Sequence, residues 1–165
     1  MMHTGKAFRI SLLFLLLLTL VSARADTITA KVVGVTDGDT VKVLTNSQDL
    51  IKVRLAEIDT PERRQPWFNR AKQALAGKIF GKTVRIEVIG RDRYGRSIGK
   101  IFLGQRDINR ELVREGHAWV YRKYMKDPTL LDDEEQARRE HLGIWSLPEA
   151  QRTPPWEWRK KRRKR

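Results

Sequence analysis

With 165 residues, 40% of them hydrophobic, the chain has enough apolar material for one domain around a single core and too little for two. It has no cysteine, which excludes a disulfide framework, a lipid-bearing thiol and any thiolate nucleophile or metal ligand. The formal charge of +14 is unevenly placed: Lys6, Arg9 and Arg24 precede the body, Arg159 to Arg165 are all basic, and the stretch from Asp26 to Trp158 keeps only +4.

The first residues read as a signal peptide over 1–25. Lys6 and Arg9 stand before the apolar run Ile10 to Val21, and Ala23-Arg24-Ala25 offers small residues for cleavage, so the mature chain is expected to begin at Asp26. A membrane span needs about 20 apolar residues, more than this run supplies. The expectation is export to the periplasm or the medium, with no membrane anchor after cleavage.

Thr27 to Val35 is rich in β-branched residues, and Thr40 to Leu44 follows after Asp37-Gly38, so the two read as antiparallel strands whose turn uses a positive φ at Gly38. From Leu50 to Glu57, Ile51, Val53 and Leu55 alternate with Lys52, Arg54 and Ala56, which predicts a third strand with Arg54 opposite its apolar face. Ala71, Leu75 and Ile79 are spaced for a helix over Asn69 to Phe80, stopped by Gly81. Val84, Ile86 and Val88 mark a fourth strand, and Ser97 to Leu103 a fifth after the turn at Tyr94-Gly95.

Ile108 to Glu115 reads as a second helix capped by Asp107 and closed by Gly116. Asp127 before Pro128 suggests the start of a third, with acids early, Arg138 and Arg139 late, and Gly143 at its end. Beyond Ser146, Pro148, Pro154 and Pro155 suggest an extended tail over 147–165. Five short strands with about three helices predict a small α+β domain over 26–146, built on a five-stranded Greek-key barrel of the OB-fold kind.

Asp37-Gly38-Asp39 alone is a turn with solvated acids, but if the first three strands form a meander, Asp39 lies near the end of the third, where Asp59 follows. Two carboxylates with a carbonyl and waters suit a hard cation such as calcium. Arg54 and Arg96, each unremarked in isolation, are suited to paired hydrogen bonds with phosphate oxygens. Seven cations at Arg159, Lys160, Lys161, Arg162, Arg163, Lys164 and Arg165 form a polyanion-binding footprint, or else a solvated end.

Taken in order, Asp37-Gly38-Asp39-Thr40, Val53-Arg54-Leu55, Asp59-Thr60-Pro61-Glu62, Asp92-Arg93-Tyr94-Gly95-Arg96 and Gly143-Ile144-Trp145-Ser146 resemble the staphylococcal-nuclease (thermonuclease) family over nearly all of Thr27 to Ser146. The resemblance implies a monomeric, calcium-dependent nuclease that cleaves DNA and RNA with little sequence preference and leaves 3′-phosphate ends. It implies that Asp39, Asp59 and the backbone oxygen of Thr60 bind Ca²⁺. It assigns Arg54 and Arg96 to phosphate binding and charge stabilisation, and Glu62 to the attacking water as general base.

Tyr94, Tyr121 and Tyr124 are expected nucleotide contacts, although the spacing around the last two departs from the family's pattern. So does Arg63 to Arg70, where relatives often carry Tyr-Gly in place of Trp67-Phe68. Trp145 reads as a core or helix-end residue, and His117 and His141 as packing or surface residues. The alternative is an OB domain that binds nucleic acid without cleaving it, as in Tudor-associated relatives, but such a domain is expected to lose the acids that are intact here. A cationic membrane-disrupting role lacks a long basic amphipathic helix.

Overall fold

The structure, a computed structural model, describes residues 26–163, so the expected signal peptide and Lys164 and Arg165 lie outside the described residues. Alternating β-branched residues form β1 (Asp26–Val35), β2 (Thr40–Thr45) and β3 (Leu50–Leu55), a three-stranded antiparallel meander. A two-residue strand β4 (Ile58–Asp59), helix α1 (Phe68–Ile79), β5 (Thr83–Arg91) and β6 (Ser97–Leu103) follow. Short β7 (Arg106–Asp107) leads into α2 (Ile108–Arg114), then β8 (Trp119–Val120), α3 (Leu130–Arg139) and α4 (Pro155–Arg163).

The five long strands close on themselves. β5 pairs with both β1 and β6, and β6 returns to lie parallel to β3, from Val53 opposite Ser97 to Leu55 opposite Gly99. Register shifts between Val32 and Gly34 and between Val88 and Gly90 bend β1 and β5, the local twist that a small closed barrel requires. This is the expected α+β OB-fold barrel, with four α-helices rather than about three.

Every second strand residue points inward: Val41 and Val43 from β2, Val53 and Leu55 from β3, and Val84 and Ile86 from β5 are all buried. Leu75 and Ile79 of α1 and Leu112 of α2 close the same core. Each such side chain removed from water contributes roughly 1.5–3 kcal/mol. Where β3 meets β6, the buried Asn109 side chain accepts from Ile101 N–H at 3.1 Å and donates to the Ala56 carbonyl at 3.0 Å, which fixes the end of β3 against the barrel.

A second cluster holds Trp119, Ala137, Ile144 and Trp145, with Trp67 and Trp156 packed on it. Trp145 is a core residue, as expected. Asp107 caps α2 by accepting from Arg110 N–H. Asp127 does not cap α3, because its carboxylate is turned to the N–H and hydroxyl of Thr129 and the helix begins only at Leu130.

The segment expected to be an extended tail is folded from Pro155 onward. Pro155 supplies a first helical turn that needs no N–H, and α4 docks through buried Pro155 and through Trp156, whose ring meets that of Trp119 edge-on at 6.0 Å. Among the described residues no helix is long and apolar enough to cross a membrane.

Candidate active site

Asp39 immediately precedes β2 and is nearly buried, at 6% exposure. Thr40 is opposite Arg54 across the β2–β3 ladder, and Leu55 N–H donates to the Asp39 carbonyl at 2.8 Å, so the meander places this acid at the end of β3, as expected. Gly38 precedes it for a reason other than the expected one. Its φ is not positive, but a Cβ there would stand 2.8 Å from Thr60 Oγ1 and 2.9 Å from the Ala71 Cβ. The bare backbone lets the turn press against Thr60, whose N–H and hydroxyl both donate to Asp39 Oδ2, at 3.0 and 3.1 Å.

Beyond β3 the chain bends at Glu57, where φ is 65°, and turns Asp59 inward on β4. The bend is held because Glu57 Oε1 accepts from the N–H groups of Lys126 and Asp127 and its other oxygen pairs with Lys100 at 2.7 Å. Asp59 is 1% exposed and sits opposite Trp119 in the β4–β8 pair.

One nitrogen of Arg54 lies 2.8 Å from Asp59 Oδ1 and 3.5 Å from Asp39 Oδ2, so the two acids converge on the same guanidinium. The other terminal nitrogen of Arg54 donates to the carbonyls of Leu55 and Ile58, at 2.7 and 2.9 Å. Burial works against the Arg54 charge, but Asp39 and Asp59 raise its pKa above the usual arginine value.

Burial pushes the Asp59 carboxyl up to about 6, with the Asp39 charge adding to the rise and Arg159 and Arg54 opposing it. Asp37, which accepts from Asp39 N–H, is pushed up to about 7 by burial and then by Asp39. Acids crowded in this way resist ionising together, and any cation placed among them relieves the strain.

Arg96 reaches the same rim from the turn between β5 and β6. Its Nε donates to Asp92 Oδ2 at 2.7 Å, while one terminal nitrogen lies 3.5 Å from Thr40 Oγ1 beside Asp39. Asp92 also accepts from Tyr94 and Arg96 N–H, which shapes the turn that aims Arg96. Tyr94 is on that turn, 69% exposed, with Arg93 at 4.9 Å and Arg96 at 5.7 Å from its ring centre.

Glu62 follows Thr60-Pro61, and its N–H is held at 2.9 Å by the side-chain oxygen of Gln65, whose amide in turn donates to the Thr153 carbonyl. Trp67 is fastened too: its Nε1 donates to His117 Nδ1 at 3.0 Å, and Arg70 lies over its ring at 4.5 Å. The stretch from Arg63 to Arg70 is thus tied both to the residues that lead into α4 and to the body.

Sequence reasoning missed the placement of Arg159. Its guanidinium forks over Asp59, at 2.7 Å to Oδ2 and 3.2 Å to Oδ1, and reaches Glu62 Oε1 at 2.5 Å. The signal for it was Pro155 followed by Trp156 and Trp158, a proline-opened helix with an apolar anchor. The remaining described tail cations, Lys160, Lys161, Arg162 and Arg163, are exposed on α4 and do not join the acids. Tyr121 stacks parallel to Trp156 at 5.4 Å and lies 6.0 Å below the Arg159 guanidinium, with Tyr124 edge-on to it.

The structure therefore gathers Asp39, Arg54, Asp59, Thr60, Glu62 and Arg96 at one mouth, with Tyr94 on one side and Tyr121 on the other. Among the described residues, no three acidic or imidazole side chains form a closed metal cage. The acceptors that the structure brings together are the carboxylates of Asp39 and Asp59, an all-oxygen pair that suits a hard cation with open positions. The Arg159 guanidinium marks where these acids already gather positive charge.

Residues 52–147 match the family described as staphylococcal nuclease homologue. The chain is similar to a micrococcal nuclease of Shigella flexneri, 44% identical over 141 residues that cover 79% of each chain. It is 40% identical to Protein ParB of Escherichia coli over 79% of this chain and 78% of that one. It is also 38% identical to an uncharacterized endonuclease of Haemophilus influenzae, over 88% of this chain and 82% of that protein.

Proposed function

Because this chain belongs to the staphylococcal nuclease family, we infer that it is an exported, calcium-dependent endonuclease that hydrolyses DNA and RNA without sequence preference and leaves 3′-phosphate and 5′-hydroxyl ends. The convergence of Asp39, Asp59, Arg54 and Arg96 from four separate segments at one rim carries this reading. Asp39, Asp59 and the Thr60 carbonyl would hold Ca²⁺, and Pro61 biases Thr60 toward the extended conformation that fixes its carbonyl. When bound, the ion supplies Lewis-acid polarisation of a phosphate oxygen.

The chain's own groups do the rest. Arg54 and Arg96 donate to the phosphate oxygens that gain charge as water attacks, and their neighbours hold both guanidiniums in place before reaction. Glu62, at the edge of the acid pair, orients the water and accepts its proton. Tyr94 and Tyr121 flank the mouth as stacking surfaces, a sequence-tolerant contact that suits a nuclease indifferent to base identity.

Digestion of plasmid, single-stranded DNA and RNA with calcium or with chelator, followed by end-group analysis, tests the assignment. Cleavage is expected with calcium alone, and Asp39→Asn is expected to abolish it while keeping an acceptor for Thr60. Equal cleavage in chelator, or an active Asp39→Asn chain, would remove calcium from the reading.

The exposed cations of α4 are assigned to the nucleic-acid backbone. Each phosphate contact contributes about 0.9 to the logarithmic salt slope on duplex DNA and about 0.7 on single strands. Replacing Lys160, Lys161 and Arg163 by glutamine is therefore expected to weaken binding and make its salt dependence shallower, with turnover at saturation unchanged. The same slope in parent and variant would leave α4 without a role in holding the substrate.

A further inference from the structure

Helix α4 lies over two things that the site offers its ligands. Arg159 occupies both oxygens of Asp59, of which Oδ1 also takes Arg54, and one oxygen of Glu62. Three residues earlier, Trp156 lies against Tyr121 with the planes only 5° apart, the arrangement a nucleobase would adopt on that ring. One helix thus covers the carboxylates and the stacking face together.

The docking is specific. Thr153 is held by Gln65, the same side chain that positions Glu62 N–H, and Arg152 Nε donates to the Leu147 carbonyl at 2.6 Å. Pro155 is buried, and Trp156 packs on the cluster around Trp119 and Trp145. The paired hydrogen bonds of a guanidinium on a carboxylate are charge-assisted and strong, and with Arg54 they place a partner on both oxygens of Asp59, so a further cation has to compete for them.

The docking is also opposed. Lys160 to Arg163 are four adjacent cations on one exposed helix end. Arg162 faces Arg63 and Arg64 across a small hollow, and none of these three guanidiniums has a hydrogen bond or ion pair among the described residues. Such like-charge crowding favours separation in the absence of an anion, and an arriving phosphate backbone offers these cations an alternative partner.

On the nuclease reading above, we propose that α4 is a reversible cap: Arg159 competes with the divalent cation for Asp59 and Glu62, Trp156 competes with a nucleobase for Tyr121, and the two ligands open the site by displacing the helix. The apparent affinity of a site that is open for only a fraction of the time is reduced by that fraction. Calcium binding in the absence of nucleic acid therefore reports the cap directly.

The test is calorimetric titration of calcium into the chain from Asp26 to Arg165, compared with Arg159→Gln, Arg162→Gln and Trp156→Ala, each checked for folding by thermal unfolding in chelator. Arg162→Gln removes the same charge from the same helix without touching the acids. Arg159→Gln is expected to tighten calcium binding about tenfold or more, as for a site closed about nine-tenths of the time, and Arg162→Gln, which relieves the crowding that opposes docking, to leave it at or somewhat below the parent value. Trp156→Ala, which keeps Arg159 but loosens the helix, should tighten it as well, and calcium should speed tryptic cutting within Lys160 to Arg163 in the parent. If Trp156→Ala does not fold, Arg159→Gln against Arg162→Gln decides the matter.

Equal affinities in Arg159→Gln and Arg162→Gln would overturn the cap while leaving a calcium-dependent parent nuclease intact. Weaker calcium binding in Arg159→Gln would overturn it too and make Arg159 a supporting member of the site. Failure of every chain to bind calcium would overturn both the cap and the calcium reading.

Discussion

Replacing Arg54 or Arg96 by lysine is expected to lower turnover about 100- to 1,000-fold at saturating substrate and calcium, the usual cost of losing one preorganised donor to developing charge. Charge is conserved in both variants, so the loss measures geometry. Arg54 spreads its donors over Asp59, Asp39 and the carbonyls of Leu55 and Ile58, and a single ammonium has no planar fork with which to span them. Part of its loss will come from a looser bend between β3 and β4, which thermal unfolding in chelator measures separately.

Arg96 gives the cleaner comparison. It holds no barrel carbonyl, and its anchor is the Asp92 side chain on its own turn. Steady-state rates on a defined oligonucleotide check both variants. Near-parental turnover in the two lysine chains would reduce these arginines to general surface charge and leave the proposed chemistry without its main electrostatic term.

What was legible in the sequence were the local regularities and their direct consequences. β-Branched content and the Asp37-Gly38 turn locate β1 and β2, alternation locates β3 and β5, and the turn at Tyr94-Gly95 locates β6; the meander drawn from the first three places Asp39 beside the end of β3, as the Thr40–Arg54 register bears out. The grouping of Arg96 with these acids came from the family resemblance, since nothing in a local pattern says that the turn after β5 reaches Thr40.

The errors share a cause. The Asp37-Gly38 dipeptide predicts a glycine needed for turn conformation, yet what requires Gly38 is contact with Thr60 and Ala71, residues brought there only by the fold. The prolines after Ser146 predict an extended tail, yet Trp156 finds Trp119 and Tyr121, more than thirty residues back along the chain, and their faces outweigh the repulsion of the cations beyond. Composition reports what a segment would do alone; it has no access to an apolar surface assembled by other elements.

Glu62→Gln is expected to lower turnover by about 100-fold or more at saturating calcium, within the usual range for a lost acid–base group, with the Michaelis constant little changed. Glutamine keeps the length and an oxygen with which to orient water but does not accept a proton at neutral pH, so the variant separates positioning from proton transfer. Gln65 will still hold the backbone of residue 62, because that bond uses its N–H and not its side chain.

The contact with Arg159 makes the result more informative. Glu62 Oε1 is one of the three oxygens that hold the guanidinium, so the substitution also weakens the grip of α4. Calcium affinity is therefore expected to rise in the same variant whose turnover falls, and a general disruption of the mouth would lower both. Measuring the rate as a function of calcium resolves the two effects: the half-saturating concentration moves down and so does the plateau. An unchanged plateau would remove Glu62 from the chemistry, and a changed Michaelis constant with normal turnover would make it a substrate contact only.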